Sequence, residues 1–294
     1  MTTDLLVEAL GPEKIFRLNF DLWAECEIRI TAASFLLRSA HDSLADDDTS
    51  RVVWRKPFNE GFEIAGTTDA YVLAEVRYLY TELFNLCALT GRHVFNWPRA
   101  DARLGKLTQL RIARDIFNVP ETSAFISHSE FIAGEGQVAK SLSSTQFDSG
   151  KVLYTTAIDG LGLAADYPWL IQDRIRASHD IMVVFVYGKL FAFSLDRSNF
   201  SGLDWRKHAQ ALAGEWLPYQ LTTVQERQIR RYMGHCGFTF GRLDFLLNED
   251  LVFLEVNPNG QWAWLDPKRD NGLFQTICEC IDPAAPIPHV VGDN

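Results

Sequence analysis

The sequence predicts a mixed α/β (α+β) fold of two or three lobes, on three observations. Its 294 residues are enough for more than one compact body, and 47% hydrophobic with 22% charged residues is ordinary globular composition. Strand-like runs and amphipathic helical stretches alternate along the chain. Paired β-branched and aromatic runs late in the sequence, "DIMVVFVYGKLFAFSLDR" and "FTFGRLDFLLNEDLVFLEVN", are written as hairpins.

Taken in order, "IFRLNFD" and "CEIRITAASFLL" read as short strands, and "LADDDTS" as an acidic surface loop. Val72, Leu73, Val76, Leu79, Tyr80, Leu83, Phe84 and Cys87 keep the rhythm of one long amphipathic helix. "FNWPRADARLG" marks a lobe boundary. Leu104, Leu107, Leu110 and Phe117 then predict a second helix, which Pro120 stops before a strand. "QVAKSL" is a short strand and "SSTQFDSGK" a polar loop. Gly188-Lys189 suits a type II′ turn, and Thr223 with Glu226 has capping-box spacing ahead of Ile229, Tyr232, Met233 and Cys236, with Gly237 as the stop.

Composition narrows the function. A net charge of -10 argues against a nucleic-acid partner, whose phosphates call for a basic surface. No apolar run approaches a membrane span and no signal-like N-terminus is present, so a cytoplasmic protein with no membrane partner is expected. Cys26, Cys87, Cys236, Cys278 and Cys280 form no zinc-like spacing and read as reduced structural thiols.

The most informative stretch is "FLEVNPNGQWAWLD", residues 253–266. Strand alternation puts Phe238, Phe240, Arg242, Asp244 and Leu246 on one side of the first strand, and Leu251, Phe253, Glu255 and Asn257 on one side of the second. A turn of two or four residues at "NED" sets Asp244 opposite Glu255 and Arg242 opposite Asn257; a three-residue turn puts them on different faces. Two close carboxylates on apolar strands repel each other and lose hydration, unless a hard cation joins them. Asp244, Glu255 and Asn257 are all-oxygen donors suited to magnesium, which completes its shell with phosphates. The plain alternative, an edge on which Arg242 merely pairs with Asp244, leaves Asn257 and its turn without a role. Trp262 and Trp264 read as core packing.

No GxxxxGK[ST] loop exists, so phosphate-binding cations must come from separate elements. Lys106, at the first turn of a helix, and Lys140, ending "QVAK", are the candidates. In "WLIQDRI" an apolar strand gives way to Gln172-Asp173-Arg174-Ile175, a polar break able to meet an adenine edge, before Asp180 opens the next hairpin.

In this order, "LGKLTQLRIARDIFNVPETSAFIS", "VAKSL", "LIQDRI", "LDWR", "FGRLDF" and "FLEVNPNGQW" resemble the ATP-grasp ligase superfamily. With "VVWRKP" and the Asn-Pro-Asn-Gly-Gln-Trp run, they look most like its ribosomal peptide maturases, the graspetide or microviridin-type macrocyclases. The resemblance extends from about Ile15 to Ile281. It implies an ATP-grasp fold with an N-terminal pre-ATP-grasp lobe (1–98), a central lobe (99–170) and a C-terminal lobe (171–294), ATP lying between the last two. It further implies ATP and Mg2+ as cofactors, with Lys106 and Lys140 on the phosphates, Gln172, Asp173, Arg174 and Ile175 at the adenine, and Asp180 by the ribose or its polar network. Asp244, Glu255 and Asn257 would hold magnesium, and Arg242 or Arg197 would face the γ-phosphate or an acyl phosphate.

The implied partner is a ribosomally made precursor peptide of leader and core; a homodimer stays open. The implied reaction is ATP-dependent activation of Asp or Glu side chains followed by ester or amide macrocyclisation. Two alternatives remain at this point: a ligase that adds a free amino acid, and a non-catalytic peptide- or nucleotide-binding relative. The latter is motivated by Met182, which stands where the family pattern has an arginine after Asp180. Arg174, Arg176 or Arg197 could replace that charge.

Overall fold

The structure is a computed structural model. It describes residues 2–46, 50–55, 69–97, 100–142, 154–210, 212 and 214–285. The polar loop read over 143–151, the centre of the acidic loop at 47–49 and Lys56 of "VVWRKP" lie outside the described residues. The chain divides into two compact units, Met1–Ala100 with Gly272–His289, and Asp101–Asn271 with Val290–Asn294.

In the first unit, the expected amphipathic helix runs Ala70–Leu89. Asp69 caps it by accepting the N–H groups of Tyr71 and Val72, a bond set worth about 1 kcal/mol. Leu83 and Cys87 pack on Phe35 and Leu37 of an antiparallel sheet, Glu27–Ile30, Phe35–Arg38 and Ser43–Ala45. "IFRLNFD" is not a strand: among the described residues Ile15–Asn19 joins no sheet, and Phe20–Glu25 is a 3-10 turn. Leu18 is instead taken up by packing against Val76 and Tyr80. The C-terminal helix Leu273–Ile281 belongs to this unit, where Arg51 donates to the Cys280 carbonyl (2.7 Å) and to that of Ala285.

The two larger sheets of the second unit are antiparallel. One has four strands in the order Thr122–Phe125, Trp169–Asp173, Gln137–Lys140, Thr156–Ala157. Its Ala139 and Ile171 pack into a cluster with Ala133, Ile158 and Leu163. The other has five, in the order Leu217–Pro218, Lys189–Asp196, His179–Val186, Phe240–Asn248, Asp250–Asn257.

The strand His179–Val186 is buried almost end to end, which accounts for its unbroken "IMVVFV". Helix Thr223–Cys236 covers one face: Tyr232 meets Phe117 and Phe253, and Phe245 meets Phe117 and Phe253 at centroid distances of 5.3 and 5.6 Å. Phe117 lies beyond its helix, which ends at Ala113, and reaches this cluster from a turn.

Local chemistry moved several details. The capping box is made one residue early, by Thr222 and Gln225, because Gln225 alone reaches back to the Thr222 N–H. The hairpin after Val186 turns on Tyr187-Gly188, both at positive φ (45° and 90°), so it is a type I′ turn and Lys189 already belongs to the next strand.

The turn at "NED" is centred on Glu249 (φ 47°), with Asn248 opposite Asp250. That odd parity alone would put Glu255 on the wrong face. A β-bulge corrects it: Phe245 pairs with Phe253 but Asp244 pairs with Glu255, leaving Leu254 surplus. Phe253 and Glu255 therefore face opposite ways, Phe253 into the aromatic cluster and Glu255 onto the face that carries Asp244.

Candidate active site

The face of the five-stranded sheet opposite the helix carries the ionic residues. Arg242 stands opposite Asn257, Asp244 opposite Glu255, and on the neighbouring strand Val184 lies beside Arg242 and Met182 beside Asp244. Arg242 grips Asp244 with two bonds of 3.0 Å, and its third nitrogen donates to the Gln261 carbonyl. The Asn257 Nδ2 bridges Asp244 (3.4 Å) and Glu255 (3.5 Å). The four side chains read from the hairpin thus converge.

Their electrostatics divide the two carboxylates. Burial pushes the Asp244 carboxyl up, against the pull of Arg242. Burial also acts on Glu255, but Lys106, Lys140, Arg242 and the Asn257 amide together hold it below the usual carboxylate range. Lys106 opens helix Lys106–Ala113; its Nζ lies 3.6 Å from Glu255 Oε2 and donates to the Ser141 carbonyl at 2.8 Å. Lys140 ends its strand on the same face as buried Leu170 and Gln172. Burial pushes its ammonium down, and Glu255 opposes that shift. Two lysines around one carboxylate leave positive charge in excess, a setting for a polyanion.

The donor set fits a hard divalent cation. Asp244 and Glu255 present oxygens across one strand pair, and a half-turn of the Asn257 amide exchanges its Nδ2 for an oxygen at the same place. Among the described residues no group of three or more His, Cys, Asp and Glu forms a self-sufficient metal cage. Such a small set suits magnesium sharing its shell with phosphate oxygens and water.

Gly260 packs where no side chain fits. A Cβ there would lie 2.7 Å from the Cβ of Arg242 and 3.2 Å from that of Asn257, while its N–H donates to the Asn257 carbonyl. The turn thus closes tightly on Arg242 and Asn257. Trp262 is fully buried, as expected of core packing. Trp264 is partly buried and meets Trp205 and Trp216, all three centroids 5.3–5.4 Å apart.

Asp180 and Arg197 form a second pair. Arg197 Nη1 donates to Asp180 at 2.6 Å and Nη2 to the Leu203 carbonyl at 3.2 Å. Burial raises the Asp180 carboxyl to about 6 despite this partner. Of the three arginines considered as substitutes at Met182, Arg197 is the one that bonds to this strand; Arg174 turns to Asp159 at 3.5 Å.

The "WLIQDRI" break comes later than the sequence suggested. The strand continues through Asp173; Gln172 is buried and donates to Thr122 Oγ1, and the N–H groups of Asp173 and Arg174 donate to the carbonyls of Glu121 and Gly136. Ile175 is the first of the four whose backbone has left this pairing. The side chain of Gln172 is committed within the sheet, while Asp173 and Arg174 are exposed.

Sequence reasoning passed over Asp204 and Arg206. Asp204, buried, accepts the Thr155 N–H at 3.0 Å and binds the Arg206 guanidinium through both oxygens. Burial would lift the Asp204 carboxyl, but Arg206 and the Thr155 N–H more than offset it. Asp204, then Glu255 and Asp244, push the Arg206 guanidinium up, so Arg206 adds a fourth cation, after Arg242, Lys106 and Lys140, to the field of the carboxylate pair. The only signal was the quoted "LDWR".

No protein-family profile and no curated protein sequence matches the chain. Solved structures do. A Chryseobacterium gregarium RiPP-associated ATP-grasp ligase, in complex with ADP and a leader and core peptide, superposes with TM-score 0.76 at 21% identity, covering 96% of this chain and 93% of that one. The macrocyclase MdnC of Microcystis aeruginosa MRC, bound with precursor peptide MdnA, gives 0.74 at 20% identity over 95% of each chain. MdnB of the same organism, also a macrocyclase, gives 0.67 at 22% identity over 95% and 94%. At these identities the likeness shows the fold alone: this chain shares the fold of these ATP-grasp ligases. Among the described residues no helix is long and apolar enough to cross a membrane.

Proposed function

We propose that the protein is an ATP-dependent ligase that activates Asp or Glu side chains of a ribosomally made precursor peptide and links them within that peptide as esters or amides. The observation that carries this reading is the convergence of Asp244, Glu255 and Asn257 with Lys106 and Lys140 in a fold shared with ATP-grasp ligases. The leader and core peptide held by the Chryseobacterium ligase, and the precursor peptide on MdnC, support a peptide as substrate.

A substrate carboxylate oxygen attacks the γ-phosphorus of ATP, the bond to the β-phosphate oxygen breaks, and ADP leaves. A hydroxyl or amine of the same peptide then attacks the acyl phosphate carbon. A C–O or C–N bond forms, phosphate departs with the electron pair of the broken bond, and the nucleophile's proton is lost. Lys106, Lys140 and Arg206 supply fixed positive charge where phosphoryl charge develops, the dominant contribution in such chemistry. Asp204 aims Arg206. Arg242 orients Asp244 and lies close to the transferring group, and Arg197 fixes Asp180 beside Met182. Magnesium, when held by Asp244, Glu255 and Asn257, would supply Lewis-acid neutralisation of the phosphates. Gln172, Asp173, Arg174 and Ile175 form the adenine-side segment, with Ile175 offering the uncommitted backbone, and Asp180 belongs to the ribose-side polar network. Holding both reacting groups on one peptide makes the second step intramolecular.

We place the protein in the cytoplasm, where ATP is available and its five free cysteines stay reduced. The test is incubation with ATP, Mg2+ and a peptide encoded beside the gene, followed by mass spectrometry. Loss of one water per link supports cyclisation; a gain of an amino-acid residue mass would replace it with the free amino-acid reaction. Failure to consume ATP with any such peptide would leave a binding protein.

A further inference from the structure

Gln109 is a buried amide that touches the site from behind, and nothing in the proposed chemistry assigns it a part. It lies one helical turn after Lys106 on helix Lys106–Ala113 and is 5% exposed. Its Oε1 accepts the N–H of Val256 at 2.9 Å, and its Nε2 donates to the Leu104 carbonyl at 2.9 Å. Both ends of the amide are therefore used, one on the outermost strand of the five-stranded sheet and one at the start of its own helix.

Val256 sits between Glu255 and Asn257. Its N–H is available to the helix because of the bulge at Leu254. In a regular strand, N–H groups three residues apart point to opposite edges. Here Phe253 donates to the Asn118 carbonyl and Val256 to Gln109, both away from the partner strand. The same surplus residue that brings Glu255 across from Asp244 thus turns the Val256 amide toward Gln109.

We propose that Gln109 is a positioning residue for the metal-ligand pair. Resting on the reading of Asp244, Glu255 and Asn257 as a magnesium site, it fixes the backbone between Glu255 and Asn257 relative to the helix that carries Lys106. Lys106 and Gln109, at i and i+3, engage the Glu255 carboxylate and the next amide along, so the helix and the ligand strand are held in one register. Partners of this kind behind metal ligands are worth roughly 10- to 100-fold in metal affinity.

Gln225 provides the control. It is also buried in the same unit, with its side chain committed to the Thr222 N–H and to Asp250, and it bonds to neither ligand residue nor to Val256. The experiment is a Mn2+ titration of the full-length protein with ADP present, read by the electron paramagnetic resonance of free Mn2+, for wild type, Gln109→Met and Gln225→Met, with Tm measured on each. The expected result is a ~10-fold or greater rise in the Mn2+ dissociation constant for Q109M and none for Q225M, while both lose thermal stability. Gln109→Asn, which withdraws the carbonyl by one methylene, carries the same expectation and serves if Q109M does not fold. Wild-type Mn2+ affinity in Q109M with only a lowered Tm overturns the role of Gln109. Absence of Mn2+ binding by the wild type would instead overturn the magnesium-site reading on which it rests.

Discussion

Asp244 stands directly opposite Glu255 although the turn joining their strands has odd parity, because Leu254 is a surplus residue in the second strand. The pair is held by cations from three separate elements: Arg242 beside Asp244, Lys106 from a helix and Lys140 from the four-stranded sheet.

Glu255→Gln keeps the shape and removes the charge. Peptide-dependent ADP release should fall by ~100-fold or more, since a lost ligand and lost charge act where the phosphoryl group transfers. Tm should also fall, because Lys106 and Lys140 lose the carboxylate they surround. Coupled-enzyme ADP assays and calorimetry read both, and turnover near the wild-type rate would remove Glu255 from the site.

Arg206→Ala should lower kcat by ~10- to 100-fold and also lower Tm, because the guanidinium is about half exposed but buried Asp204 loses the partner of both its oxygens. Arg206→Lys should not restore it, because an ammonium cannot make the two-pronged contact with Asp204. Asp204→Asn should reproduce much of the kinetic loss by releasing Arg206. Equal kcat in all four proteins would show that Arg206 takes no part.

How much of this was legible in the sequence depends on range. Helix Ala70–Leu89 and the alternation of Arg242 with Asp244 are written in local periodicity, and so was Lys106 at a helix start. Leu254 was not, because a bulge is decided by which pairing buries Phe253 against Phe117 and Phe245, a tertiary choice. Arg206 escaped because its value comes from Asp204 and from Thr155, about fifty residues upstream. "IFRLNFD" has strand-like composition but, among the described residues, no partner strand, so packing of Leu18 decided its form.

Gly260→Ala tests the tight turn. Its new methyl would meet the Cβ atoms of Arg242 and Asn257, neither of which can yield without moving its backbone. A loss of about 1–3 kcal/mol in stability is expected, with weakened metal binding from displaced Asn257. Chemical denaturation and Mn2+ titration measure these, and an unchanged midpoint would mean the turn has slack.

Asp180 predicts a pH signature. Its carboxyl rises from an ordinary value near 3.8 to about 6, so between those values the folded state binds more protons than the unfolded one. Stability from this group therefore decreases as pH rises through the window from about 4 to about 6, by at most ~3 kcal/mol. Asp180→Asn should flatten that slope in Tm against pH; a slope identical to wild type would contradict the assignment.

The most direct test of carboxylate activation follows the oxygen itself. The peptide's Asp and Glu carboxylates are labelled with heavy oxygen, and the protein is incubated with that peptide, ATP and Mg2+. Activation through an acyl phosphate predicts one labelled oxygen in released phosphate for each link formed. Links formed with unlabelled phosphate would contradict it.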